Sequence, residues 1–109
     1  MTLDTIIKQF FKDDTIFIEG GYGESFEDRI IIYKSIDNDF IGDEYKILEY
    51  LRVIKGAYAY WMVQQSLRRI ENSTLDILEV DFYSKDIFEK ESVERVEIYF
   101  DITQCFGKE

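Results

Sequence analysis

The sequence predicts an α+β domain: an antiparallel sheet of about four strands with an N-terminal helix and a central helical segment on one face, in the order α-β-β-α-β-β. Three observations carry this expectation. Apolar residues recur at helical spacing near the N-terminus, apolar and polar residues alternate in the last third, and a length of 109 residues suits one core, so that residues 1–109 read as a single domain.

Thr2 stands before Leu3, Ile6, Ile7, Phe10 and Phe11, which fall at i, i+3, i+4, i+7 and i+8 and mark one helical face. That helix should stop near Lys12, because Asp13-Asp14 is unfavourable at the negative end of a helix dipole. The β-branched and aromatic runs Thr15 to Ile18 and Arg29 to Tyr33 read as two strands of a hairpin, joined by the glycine-rich stretch Gly20 to Asp28 as a flexible connection. From Asp43, a candidate N-cap, Ile47, Leu48, Leu51, Ile54, Tyr58 and Trp61 can share a helical face, with Asn72 a plausible stop. A helix is expected over 43–55 and, with Gly56 as a break, again over 57–71; Tyr58, Tyr60 and Met62 also alternate as a strand would. Leu78, Val80 and Phe82, then Val96, Ile98, Phe100 and Ile102, alternate with acidic residues and tyrosines. These are half-buried strands with one face for the core and one for water.

Composition limits the function. With 46% hydrophobic residues, including nine Phe and eight Tyr, the chain is too apolar for a disordered acidic tail. Its 23 acids against 13 bases give a net charge of -10, which disfavours direct nucleic-acid binding and favours a cationic partner. One cysteine, Cys105, implies no internal disulfide and no oxidising compartment. Met1-Thr2-Leu3-Asp4 lacks a basic n-region, and the longest apolar run, Ala57 to Val63, is far below the roughly 20 residues of a membrane span, so the expectation is a cytoplasmic protein with no membrane association.

The motifs for chemistry are weak. Histidine is absent, which removes the usual proton-transfer group and the commonest metal ligand. Without an imidazole, Cys105 needs a lysine or arginine to activate it and reads as a packed thiol. Asp37-Asn38-Asp39-Phe40-Ile41-Gly42-Asp43 begins like a calcium loop but places Ile41 and Leu48 where a ligand and the bidentate carboxylate belong, with Glu49 one residue late. Gly20-Gly21-Tyr22-Gly23 resembles a phosphate cradle, yet Glu19, Glu24, Glu27 and Asp28 surround it and a strand follows it. With 23 acids some carboxylate pair always lies at glycosidase spacing, so that signal is empty. No catalytic residue, metal ligand or cofactor is expected.

Charge placement carries the remaining signal. Residues 13–28 hold six acids and no base, and residues 37–44 four acids and no base, whereas 45–70 hold Lys46, Arg52, Lys55, Arg68 and Arg69 against Glu49 alone. The candidate partner-binding residues are therefore Asp13, Asp14, Glu19, Glu24, Glu27, Asp28, Asp37, Asp39, Asp43 and Glu44, with the loop aromatics Tyr22, Phe26 and Phe40 among them. Tyr83 and Tyr99 offer a second surface on the sheet. The expectation is a non-catalytic acidic protein that neutralises a basic toxin or nuclease stoichiometrically, as immunity and anti-defence proteins do. The alternative is a small ligand-binding domain or weak enzyme with an aromatic pocket lined by Tyr58, Tyr60, Trp61 and Met62. A homo-oligomer joining the basic middle of one subunit to acidic loops of another is a third reading.

Overall fold

The computed structural model describes residues 1–106. The elements are α1 (Leu3–Gln9), β1 (Phe17–Gly20), β2 (Ile30–Lys34), a short 3-10 turn (Ile36–Asn38), α2 (Phe40–Lys55), β3 (Ala59–Ile70), β4 (Ser73–Lys85) and β5 (Glu91–Asp101). The class is α+β, with one five-stranded sheet in the order β1-β2-β5-β4-β3. The expected all-antiparallel, four-stranded sheet is corrected on two counts. Residues 59–70 form a fifth strand, and β2 runs parallel to β5, pairing Ile30 with Phe100 and Ile31 with Asp101.

α1 begins as the sequence indicates, with the Thr2 hydroxyl accepting from the Thr5 amide at 3.2 Å. It ends one turn early, because Lys12 takes a left-handed conformation (φ 57°) that turns the chain. α2 begins earlier than expected: Asp39, rather than Asp43, caps it by accepting from the Gly42 amide at 2.9 Å. It stops at Gly56, whose φ of 72° and amide bond to the Val53 carbonyl close the helix, while the Ala57 amide bonds Arg52.

The helix expected over 57–71 is a strand. Past the Gly56 cap the alternation of Tyr58, Tyr60 and Met62 governs, and Asn72 is not a helix stop but lies with Glu71 in the two-residue β3–β4 turn. Both take positive φ there (48° and 68°), as a type I′ hairpin needs. A bulge at Val63 then flips the parity, so Gln65, Leu67 and Arg69 follow Tyr60 and Met62 on one side of β3.

Both helices lie on one sheet face. Leu3 and Ile7 of α1 and Ile47, Leu48 and Leu51 of α2 join Ile18, Ile30, Ile32, Leu78, Val80, Phe82, Ile98 and Phe100 in one buried cluster. The buried Cys105 thiol belongs to it and donates to the Ile32 carbonyl at 3.4 Å. β3, β4 and β5, at 11 to 13 residues, are much longer than β1 and β2, and most of β5 runs past the end of β2. The three-stranded ribbon thus projects beyond the core in a molecule of 48 × 29 × 23 Å. Among the described residues, no helix is long and apolar enough to cross a membrane.

Candidate partner-binding surface

The acidic residues singled out from the sequence do not form one face. They divide between the two ends of the β1–β2 hairpin, about 15 Å apart for strands of this length. At one end, the segments on either side of the hairpin meet the N-terminal half of α2 in a polar groove of about 220 Å³ lined by Thr15, Ile36, Asp37, Asp39, Gly42, Asp43 and Lys46. Most of its carboxylates are engaged. Asp13 accepts from the Tyr50 hydroxyl and from Thr15, and these bonds outweigh burial and hold its pKa below the ordinary carboxylate range. Asp39 caps α2, and Asp43 is buried against the Ser35 hydroxyl (2.7 Å), its pKa raised by that burial. Asp14 and Asp37 remain exposed.

At the other end, the loop 21–29 is pinned rather than flexible. The Tyr99 amide donates to Gly23, Tyr22 packs on the core and donates to the Met1 carbonyl (2.8 Å), and Phe26 lies 4.4 Å beneath the Arg29 guanidinium. Arg29 in turn bonds Asp101 at 2.8 Å. A Cβ on Gly20 would stand 2.3 Å from the Arg29 carbonyl oxygen, so the glycine serves a close backbone approach, not an anion. Glu19, Glu24, Glu27 and Asp28 are exposed, with Glu24 3.9 Å from Lys55. Of the three loop aromatics, Tyr22 and Phe40 pack against the core. Tyr22 anchors its loop and Phe40, expected in a loop, is instead the first residue of α2, which removes both from an exposed hot spot.

Glu44 is not a surface acid either. It is 2% exposed on the core side of α2 beside Asp76, also 2% exposed, which breaks the apolar series of β4 on the helix-covered face. Burial, together with its bond to Asp76 and the negative charge of Asp76 and Asp43, pushes the Glu44 carboxyl up to about 10. It therefore keeps its proton at neutral pH. Asp76 accepts from the Gln65 amide through both oxygens (3.0 and 2.9 Å) and lines an open groove of about 360 Å³ with Phe40, Ile41, Gln65, Leu67, Ile102 and Phe106. Among the described residues no donor reaches the buried Glu44 Oε2, and neither acid has an ion-pair partner. The arrangement can hold a cation with an apolar stem. Its sequence signal was Asp76 itself, an acid in a core register position.

The sheet face opposite the helices is exposed toward the β4–β5 tip, whereas Leu75 and Ile77, toward its other end, are buried. Strand register places Trp61, Asp81 and Arg95 side by side on it, and Ala59, Tyr83 and Val93 in the next row. Arg95 grips Asp81 with two bonds (2.7 and 2.9 Å) and reaches Glu79 at 3.5 Å, which holds the Asp81 carboxyl below its ordinary range. Trp61, 68% exposed, and exposed Val93 flank this triad, and the Tyr58 hydroxyl donates to Glu91 at 2.6 Å. At the β4–β5 tip, Asp86 accepts from the Phe88 and Lys90 amides (2.8 and 2.9 Å), fixing a turn from which Ile87 (90% exposed) and Phe88 (83%) project. Asp86, Glu89, Glu91, Glu94 and Glu97 lie along the tip and the adjoining strand. Tyr83 and Tyr99, the sheet tyrosines noted from the sequence, are half-buried here, whereas the aromatic pocket does not assemble. Tyr60 and Met62 pack on the core while Trp61, between them, faces the other side because successive residues of a strand point to opposite faces, and Tyr58, just before β3, is exposed.

Among the described residues there is no group of three or more potential metal ligands. No family model matches the chain, and no curated protein and no solved structure matches it.

Proposed function

We propose that this chain is a non-catalytic binding domain for a basic protein, acting as a stoichiometric inhibitor of a cationic toxin or nuclease. The contact surface is the uncovered face of β3, β4 and β5 with its projecting tip. The observation that supports this most is the placement of Trp61 and Val93 on strands and of Ile87 and Phe88 on the turn held by Asp86: apolar side chains held out to water and bordered by carboxylates. Apolar anchors within a charged rim are the usual anatomy of a binding hot spot, and a net charge of -10 steers a cationic partner toward it. On a nuclease, the carboxylates would stand where substrate phosphates bind, blocking the site without chemistry. The exposed acids Glu24, Glu27 and Asp28 lie at the same end of the molecule, since Lys55 reaches both Glu24 and Glu94, and they extend the acidic rim.

The test is affinity capture from host lysate at low salt with the wild-type chain and with a Trp61→Ala/Phe88→Ser variant. A basic protein retained only by the wild type, and released near half-molar salt as screening shortens to a few ångströms, is the expected result. Equal retention by the variant, or a captured protein that resists salt, argues against this surface.

A further inference from the structure

We propose that β3 pairs with the β3 of a second copy across a two-fold axis at Leu67, so that Arg69 of each subunit enters the groove lined by Asp76 of the other. This inference does not rest on the inhibitor reading, and its test contains no other protein.

β3 is an edge strand of twelve residues that pairs only with β4. Protective features of edges are short length, proline, β-bulges or charges spread along the strand, and the bulge of β3 at Val63 lies outside the regular stretch 64–70. Here the strand is long, has no proline, exposes Trp61, Val63 and Leu67, and carries its charges only as Arg68-Arg69 near one end. β1, at the opposite edge, is four residues long. The bare backbone of β3 is therefore the available template for strand addition.

The register follows from sidedness. Directly opposed residues of an antiparallel pair share a face, so a symmetric pairing of the regular stretch 64–70 must be centred on a residue. An axis at Leu67 uses all seven residues and pairs Gln65 with Arg69, Ser66 with Arg68, and Leu67 with its own counterpart. An axis at Arg68 opposes like charges, and one at Ser66 drives Arg69 into the bulge at Val63.

Charge then selects the occupant. Neither Arg68 nor Arg69 has an ion-pair partner among the described residues, and neither does Asp76 or Glu44. Arg69 lies across from Thr74 and so shares the side of Asp76 and Leu78. In the paired register its Cβ comes to about 5 Å from that of Gln65 in the other copy, whose amide already holds both Asp76 oxygens. The apolar groove walls Phe40, Ile41 and Leu67 accept the arginine stem, and the guanidinium offers Asp76 two parallel donors. Each subunit supplies the cation that the other lacks.

Sedimentation equilibrium of the full chain should show a dimer. Arg69→Glu, with native circular dichroism, should weaken it at least about ten-fold, since it removes the donor and sets a carboxylate against Asp76. In a Cys105→Ala background, Leu67→Cys should cross-link between copies on mild oxidation. Gln64→Cys should not, because its counterpart lies about 20 Å away along the paired strands. A monomer at the highest soluble concentration, an unchanged dimer in Arg69→Glu, or equal cross-linking of the two cysteine variants overturns the proposal.

Discussion

Glu44 on α2 lies against Asp76 on β4, each 2% exposed, with no lysine or arginine paired to either among the described residues. The Glu44 carboxyl, pushed up to about 10 by burial and by Asp76, stays neutral in the folded chain while the unfolded chain ionises above about 4.5. The folded state then binds more protons, so this group lowers stability progressively as pH rises through that window.

Glu44→Gln keeps a donor toward Asp76 and removes the titration. At pH 7 it should stabilise the protein by about 3 kcal/mol, with the gain growing toward pH 9 and vanishing near pH 4.5. Urea unfolding of both proteins across that range checks it, and parallel pH profiles would count against a retained proton.

The Arg29–Asp101 pair has the opposite sign. Burial raises Asp101, but bonds from Thr103 and Arg29 outweigh it and leave its carboxyl below the ordinary 3.8. Its stabilisation is complete above that value and is lost as pH falls through the lower folded one. Arg29→Ala should cost about 2 to 3 kcal/mol at neutral pH by stranding a buried carboxylate. That difference should shrink below about pH 4; an equal cost at pH 3 and pH 7 would show that packing against Phe26, not charge, is what Arg29 supplies.

Two glycines separate backbone strain from collision. Gly56 has φ 72° with open space around it, so Gly56→Ala should cost only about 1 kcal/mol. Gly20 combines φ 97° with a Cβ position 2.3 Å from the Arg29 carbonyl, and Gly20→Ala should cost more than about 2 kcal/mol and loosen the 21–29 loop. Thermal unfolding ranks them, and a Gly56 variant at least as damaged as the Gly20 variant contradicts the geometry.

The projecting side chains should matter little to folding. Trp61→Ala with Phe88→Ser should change unfolding free energy by less than about 0.5 kcal/mol, whereas Asp86→Ala, which deprives two amides of their acceptor, should cost about 1 kcal/mol. Chemical denaturation distinguishes them. A large loss in the double variant would mean that Trp61 or Phe88 is structural rather than reserved for contact.

Much of the fold is legible in the residues, for identifiable reasons. Leu3 and Ile7, and Leu78, Val80 and Phe82, recur on one buried face of their elements, so their spacing declares helix or strand. β3 is harder because much of it is exposed: with one-sided burial missing, Tyr58, Leu51 and Trp61 fit a helical face as readily as Tyr58, Tyr60 and Met62 fit a strand. The bulge at Val63 erases the remaining alternation. The candidate site was less legible. A carboxylate's exposure depends on neighbours remote in sequence, and Asp13 meets Tyr50, Asp43 meets Ser35 and Glu44 meets Asp76 only after the chain has closed.

Composition and periodicity by themselves determined an α+β class and a net negative charge, because these follow from local backbone preference and summed charge, whereas the helix stop at Gly56 took the structure to decide. Tertiary structure alone decided which acids face water, that β2 lies parallel to β5, and that β3 stands at an edge beside an uncompensated buried acid pair. Those outcomes depend on contacts between residues tens of positions apart, and only the packed chain brings them together.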